Sequence, residues 1–175
     1  MQCRARLGLA VLAVVLGIAG CGSVKASAES PKPAGTSPSA ISRMVCAKEA
    51  SGEIAEVVGA KASLTSPTWA DHLYSCGYRY REGTMVLSVK ELSSWTQTYA
   101  YFDELAKTLH KTAPVKGLGQ GAFVVGDGSV VVRKDWKILL VDISGLHGMV
   151  GSPPYSRDTV ALDAAAVILG CWSGD

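Results

Sequence analysis

The chain has 175 residues, of which 48% are hydrophobic and 18% are charged. That length suits one domain, and the apolar content excludes a disordered polyampholyte. Seventeen Lys and Arg side chains oppose fifteen Asp and Glu side chains, and two of the basic residues, Arg4 and Arg6, lie in the first segment. Without those two the charges balance, which excludes the basic excess of a nucleic-acid-binding domain.

The first 20 residues have the composition of a secretory signal peptide. Arg4 and Arg6 precede an apolar run over residues 7–18, which is shorter than the about 20 residues that a membrane-spanning helix needs. Small residues then lead to Cys21, in an order that resembles the bacterial lipobox. We therefore expect residues 1–20 to be removed and Cys21 to receive a diacylglycerol, because two acyl chains give a stable anchor and one does not.

Residues 21–40 form a second, polar segment. It is rich in Ser and Pro and has few apolar side chains, so it buries too little surface to offset the entropy of ordering. We interpret it as a lipidated tether that holds a globular domain, residues 41–175, at the outer face of the cell membrane.

The domain begins with a predicted helix over residues 51–58, with Ser51 as N-cap and Gly59 as stop. Two strands follow, over residues 72–80 and 84–92, joined through a Glu-Gly turn. Alternation places four side chains of the first strand on one face. They are Tyr74, Cys76, Tyr78 and Tyr80.

The second predicted helix begins after Ser94, which forms a capping box with Gln97, and ends before Pro114. Its apolar residues recur at steps of four, three, four and three, which predicts one inner face. They are Trp95, Tyr99, Phe102, Ala106 and Leu109.

Three strands and a last helix complete the domain. The strands are predicted over residues 121–125, 129–133 and 137–144, with an Asp-Gly hairpin turn between the first two. Ser156 caps a helix over residues 157–169. Consecutive hairpins imply an antiparallel sheet, so we predict a single α+β domain with about five strands and two to three helices, packed on one face of the sheet or across its ends.

Three cysteines remain in the domain, so one disulfide at most forms within a monomer and one thiol is left over. An exported location permits oxidation. We favour Cys46–Cys76, whose loop of about 31 residues would stabilise the fold by roughly 3–4 kcal/mol. The alternative is Cys46–Cys171. A leftover Cys171 is expected to behave as a small buried hydrophobe.

These features together resemble a group of small actinobacterial lipoproteins. The lipobox, the Ser/Pro tether, a cysteine five residues before Ser51 and Cys76 in a strand are typical of that group, as is the stretch over residues 115–123. The resemblance implies a membrane-anchored extracytoplasmic domain of unknown function, with a non-enzymatic role and no established ligand. The chain differs in having Gly77 directly after its second cysteine, with Tyr78 filling the usual aromatic position, and in adding a cysteine near its C-terminus.

The sequence contains no motif typical of an enzyme or a metal site. No nucleophile motif occurs that one of the three histidines, His72, His110 and His147, could activate. No His or Cys pair at short spacing predicts a zinc site. The Gly-x-Gly pattern at 117–119 is a poor dinucleotide fingerprint, because a strand rather than a helix follows it. We therefore predict no enzymatic activity, no cofactor and no metal.

Two groups of side chains are candidates for contact with a ligand or a partner. Tyr78 and Tyr80 on the first strand, with Trp95 on the second helix, suit either the lining of an apolar pocket or the core between sheet and helix. The loop over residues 146–155 is long and partly apolar, which suits either a partner contact or a plain crossover to the last helix. Its candidate contact residues are His147, Met149 and Tyr155.

The sequence thus predicts a lipid-anchored, non-catalytic binding or accessory module on the extracytoplasmic face of the cell membrane. Its partners would be the membrane, through Cys21, and an envelope protein or a small apolar ligand, and not nucleic acid. The alternatives are a carrier of an apolar envelope ligand and a cell-envelope hydrolase or transferase. The carboxylates available to such an enzyme are Asp71, Asp127 and Asp142.

Overall fold

The computed structural model describes residues 31–172, so the predicted signal peptide, Cys21 and the first half of the tether, residues 21–30, lie outside the described residues. Within the described range the helices are α1 Ala40–Arg43, α2 Lys48–Val58, α3 Trp95–Thr108 and α4 Arg157–Cys171, with a 3₁₀-helix at Met44–Cys46. The strands are β1 Ser63–Leu64, β2 Thr68–Ala70, β3 Leu73–Tyr80, β4 Gly83–Glu91, β5 Lys111–Val115, β6 Gly121–Val125, β7 Val130–Lys134 and β8 Lys137–Leu146.

All eight described strands belong to one antiparallel sheet, in the order β1-β3-β4-β8-β7-β6-β5, with β2 also paired to β3. The predicted α+β class and antiparallel sheet are confirmed. The predicted numbers of strands and helices were too low, because three strands and the four-residue helix α1 carry weak sequence signals. Two of those strands have only two or three residues, and β5 is exposed along most of its length at the edge of the sheet.

The sheet is covered on both faces. On one face α2 and α4 pack over a core that includes Tyr78, Leu87 and Val141. On the other face α3 packs over a smaller core, in which the rings of Phe102 and Phe123 have centroids 5.0 Å apart. The predicted placement of helices on one face or across the ends is therefore wrong. Strands β6 to β8 carry apolar residues on both faces, and each face needs a cover.

The helix caps follow the sequence at two of three positions. Ser94 Oγ accepts a hydrogen bond from Gln97 N at 3.2 Å, and Ser156 Oγ accepts from Thr159 N at 3.3 Å, as predicted. Ser51 is not an N-cap, because α2 begins three residues earlier, and its hydroxyl donates to Lys48 O inside the helix.

The predicted inner face of α3 is confirmed only in its second half, where Phe102, Ala106 and Leu109 pack on the smaller core. Thr98 is the buried residue, and Phe102 and Leu105 pack on the smaller core. Trp95 and Tyr99, which the periodicity places inside, are instead exposed. The helix therefore keeps two large aromatic side chains on the surface.

Cys46 and Cys76 form a disulfide with Cα atoms 5.5 Å apart, which confirms the favoured pairing over Cys46–Cys171. The bond ties the 3₁₀-helix to β3. Cys171 packs, partly buried, against the same core and is not a free thiol. The expectation of a leftover thiol at Cys171 is therefore wrong.

The strands give the domain two ends. At one end β3, β6 and β8 begin and β4 and β7 end, and residues 35–39 lie there; we call this the tether end. At the opposite end lie the β3–β4 turn and residues 146–155, and we call this the loop end. The helix α2 ends at the loop end, where Ser152 N donates to Gly59 O at 3.0 Å. The helix α4 begins there and runs back.

Candidate functional site

The leading segment, residues 35–39, is fastened to the tether end by hydrogen bonds. Thr36 O accepts from Trp69 Nε1 at 3.1 Å, and Gly35 O lies 3.0 Å from His72 Nδ1. The last residues of the predicted tether therefore lie on the domain. From this segment the chain continues toward its N-terminus at the tether end.

A buried carboxylate, Glu91, lies beneath the leading segment. It accepts hydrogen bonds from Ser39 N at 2.8 Å and from Ser42 Oγ, and it pairs with Lys137 across the register of β4 and β8. Burial acts to raise the pKa of Glu91, but the hydrogen bonds from Ser42 and Ser39 and the charge of Lys137 outweigh it and hold that pKa below its ordinary value. Glu91 therefore stays charged at neutral pH and holds the chain in place.

Three aromatic side chains, Trp95, Tyr99 and Trp136, form what we call the aromatic cluster at the tether end. The ring of Trp95 lies 6.2 Å from that of Tyr99 and 6.4 Å from that of Trp136, centroid to centroid. Trp95 is 38% exposed and Tyr99 is 49% exposed, which makes them two of the four exposed large hydrophobic side chains among the described residues. The start of α3 and the β7–β8 turn meet here, because Leu92 N donates to Trp136 O at 2.9 Å.

Arg133 places a buried cation beside the aromatic cluster. Its guanidinium carbon lies 4.4 Å from the ring centroid of Tyr99, and its Nη2 donates to Gln120 O at 2.7 Å. The residue is only 9% exposed, yet its Nε has no hydrogen-bond partner, and neither does the buried Nε1 of Trp136. Within the described range no carboxylate forms an ion pair with Arg133. Unused donors beside exposed rings suit a group that brings oxygen acceptors.

The loop end presents residues 146–155 on a fixed base. Val150 is buried and exchanges two backbone hydrogen bonds with Tyr155, at 3.0 and 2.8 Å. Between the base and the end of β8, His147 is exposed and Met149 is 55% exposed. The loop therefore holds a small apolar surface in place through backbone contacts, and Tyr155 serves mainly as part of the base.

The two tyrosines considered as pocket residues lie in the core. Tyr78 is fully buried and its hydroxyl donates to Val45 O at 2.8 Å, whereas the buried hydroxyl of Tyr80 has no partner. Burial raises the pKa of both phenols, to about 12 for Tyr80. Both lie on the α2 and α4 face, and Trp95 lies on the α3 face. The pocket that these three were predicted to share therefore does not form, because the sheet separates them.

The carboxylates considered for a hydrolase do not form one site. Asp71 lies in the turn before β3 at the tether end, and Asp127 lies in the β6–β7 turn at the loop end, where it accepts from Ser129 N at 2.8 Å. Asp142 lies within β8 and accepts from Ser144 N at 2.8 Å. Each of the last two carboxylates is used in a local turn contact.

An open cleft of about 380 Å³ lies between the turn after β5 and the end of α4. Leu118, Gln120, Ala166 and Gly170 are among its lining residues. The glycine pattern at 117–119 forms its rim, in a turn that leads into β6, as the sequence predicted.

Three residues at the tether end were not predicted from the sequence: the buried Arg133 and Glu91, and Trp136. Arg133 lies two residues after Val131, so both side chains point to the face that α3 covers, and this spacing predicts that Arg133 is buried. Alternation likewise places Glu91 on the buried face of β4 after Leu87 and Val89, but its donors lie about 50 positions earlier in the chain, outside any local pattern.

The described residues contain no group of His, Cys, Asp and Glu side chains placed to hold a metal ion. None of the helices in the described range is long and apolar enough to cross a membrane. No known protein family, no curated protein and no solved structure matches the chain.

Proposed function

We propose that the protein is a lipid-anchored, non-catalytic binding module on the extracytoplasmic face of the cell membrane. One observation supports it most: the leading segment and the exposed loop lie at opposite ends of the domain. The chain continues toward Cys21 from the tether end, while Met149 is exposed at the loop end. A domain attached in this way turns its loop end away from the membrane.

An envelope protein is the partner that suits the loop end. The flexible thioether of Met149 adapts to irregular apolar surfaces, and His147 adds a polar group two residues away. The backbone bonds of Val150 and Ser152 already fix the loop, so less conformational entropy is lost when a partner binds.

A carrier of a small apolar ligand is the second candidate. The cleft beside Leu118 and Ala166 supports it, because its volume of about 380 Å³ is within the range of small-molecule sites. This candidate needs no protein partner and no exposed loop.

The anchor is tested by replacing its cysteine. Cys21→Ala should remove the diacylglyceryl mass from the protein and move it from the membrane fraction to the medium, because a single domain without acyl chains has no stable hold on a bilayer. Cys3→Ala is the matched control and should leave lipid mass and location unchanged. Membrane retention of Cys21→Ala without lipid mass would refute the anchor.

The binding role is tested by native mass spectrometry of the protein purified gently from its own membrane. A bound mass of a few hundred daltons would favour the carrier over the protein-binding module. A photo-crosslinking amino acid at position 149 should capture one envelope protein, whereas the same group at Thr96, an exposed position at the start of α3 at the tether end, should not. Equal capture from both positions would count against the loop end as the binding surface.

A further inference from the structure

We infer that the aromatic cluster at the tether end docks on the lipid headgroup layer of the membrane that holds the anchor. The inference rests on the proposed function, because it needs the domain to be attached near a bilayer. It adds a second contact to the anchor and fixes which way the domain faces.

The first support is the position of the cluster relative to the anchor. Gly35, which contacts His72 at the tether end, lies 14 positions after Cys21 in the sequence. A chain of that length spans at most about 50 Å when fully extended. The tether end is therefore held close to the bilayer, at a high effective concentration for a weak contact.

The second support is the chemistry of the exposed side chains. Trp and Tyr concentrate at membrane interfaces because their rings are apolar and their N–H or O–H groups remain hydrogen-bonded among the headgroups. Trp95 and Tyr99 are large and exposed at this end, and Trp136 touches Trp95 from the neighbouring turn. Trp69 lies at the same end, where its Nε1 binds the leading segment.

The third support is the set of unused donors. Arg133 has a buried guanidinium whose Nε lacks a partner, and no carboxylate in the described part of the chain neutralises it. Trp136 Nε1 is a second buried donor without a partner. A phosphate-bearing headgroup seated on the exposed rings of Trp95 and Tyr99 would bring a counter-charge close to Arg133, whose guanidinium lies against the Tyr99 ring. The charge of Arg133 therefore favours a lipid headgroup layer over a purely apolar partner surface.

The loop end lacks this combination. Its exposed apolar residues are Met149 and Val57, which have no aromatic ring and no side-chain N–H or O–H group to hold at an interface. The docked orientation therefore places the tether end down and leaves the loop of residues 146–155 free for the partner proposed above.

The test attaches the chain to vesicles without relying on natural lipidation. The chain from Gly22 to Asp175 carries a histidine tag at its N-terminus and is bound to nickel-chelating lipid in phosphatidylcholine and phosphatidylglycerol vesicles. Tryptophan emission is compared between vesicles with and without bromine atoms near the headgroup end of the acyl chains. Brominated lipid should quench the emission, and Trp95→Leu should remove about half of that quenching.

Two further variants keep the test decisive. Tyr99→Ser should weaken the quenching of the remaining tryptophans, and it provides a readout if Trp95→Leu fails to fold by circular dichroism. Met149→Trp adds an indole at the loop end, whose extra emission should not be quenched. Absence of quenching in the tagged chain, or equal quenching of the indole added by Met149→Trp, would overturn the docking. Either result leaves the Cys21 anchor standing, because lipid mass and fractionation report on it separately.

Discussion

Each end of the domain buries an acidic side chain, Glu91 at the tether end and Tyr80 at the loop end, and their pKa values shift in opposite directions. At the tether end the carboxyl group of Glu91 accepts hydrogen bonds from Ser39 and Ser42 and faces Lys137, and its pKa is lowered. At the loop end of β3 the hydroxyl of Tyr80 has no partner, and burial raises its pKa to about 12. Both side chains are almost completely buried.

The difference shows that partners, and not burial alone, decide which form of a buried group is stable. Burial disfavours the charged form at both sites. Three favourable contacts reverse that effect at Glu91, and none exists at Tyr80. The tether end is thus held by side-chain chemistry, whereas the loop end is held by close backbone packing, as at Ser152 and Gly59.

The largest expected effect comes from removing the Cys46–Cys76 disulfide, which lies near the leading segment. Cys46→Ala with Cys76→Ala should lower the free energy of unfolding by about 4 kcal/mol, because the unfolded chain regains the entropy that the cross-link removes. Hydrogen exchange should quicken more at the amide of Ser42, which lies near the lost disulfide, than at those of Val150 and Tyr155. Equal loss of protection at both ends would contradict independent fastening.

The next effect concerns the close packing of the loop end. Gly151 has φ +87°, and a Cβ there would lie 1.8 Å from Val58 O, so Gly151→Ala should cost about 3 kcal/mol of stability in thermal or urea unfolding. Gly148→Ala is the matched control in the same loop. Its φ is +75° with no atom within 4 Å of the added Cβ, so its cost should be nearer about 1 kcal/mol. Similar costs for the two variants would mean that the backbone at Val58 moves away from the added Cβ with little loss of stability.

Local patterns predicted the long elements of this fold and missed the short ones. Gly121–Val125 and the start of α4 at Arg157 agree with prediction, because a turn signal or a capping serine fixes each start. The edge strand β5 was not predicted, because Pro114 indicates the end of a helix. The other residues of β5 are mostly exposed, so no alternation of buried and exposed side chains indicates a strand.

The site was less predictable than the fold because its residues meet through tertiary contacts. Trp95 was named from sequence as a contact residue, but Trp136 and Arg133 join it through the packing of α3 against the β7–β8 hairpin. Sequence rules place Arg and Glu on the surface, and only distant partners such as Gln120 or Ser42 make their burial stable.

A smaller effect appears in alkali and belongs to the loop end. Because the folded pKa of Tyr80 is about 12 and that of a free phenol is about 10, the folded state keeps a proton that the unfolded state loses. Stability that is complete below pH 10 should therefore fall as the pH rises toward 12, by roughly 2–3 kcal/mol from Tyr80.

Two phenylalanine variants isolate this alkaline effect. Tyr80→Phe should reduce the alkaline loss, while the buried phenol of Tyr78 keeps its own share, and it should change stability little at pH 7 because the hydroxyl has no partner to lose. Tyr78→Phe removes a hydrogen bond to Val45 O and should cost about 1 kcal/mol at pH 7. Urea unfolding from pH 7 to 11 measures both, and an unchanged alkaline slope in Tyr80→Phe would contradict the assignment.

The smallest effect tests the charged partner at the tether end. Glu91→Gln keeps an oxygen that can accept from Ser39 and Ser42 but leaves Lys137 without its counter-charge, so we expect a cost of about 2 kcal/mol at pH 7. Since the folded pKa of Glu91 lies below its unfolded value, the stability it contributes is complete above the unfolded pKa and is lost as the pH falls through the folded one. The gap in unfolding free energy between wild type and variant should therefore narrow in acid.

The exposed Glu104→Gln is the control and should show no such gap at any pH. A gap that stays constant down to strongly acidic pH would mean that Glu91 holds the leading segment by shape and hydrogen bonding and not by charge. The two ends would then differ less in kind than their pKa values indicate.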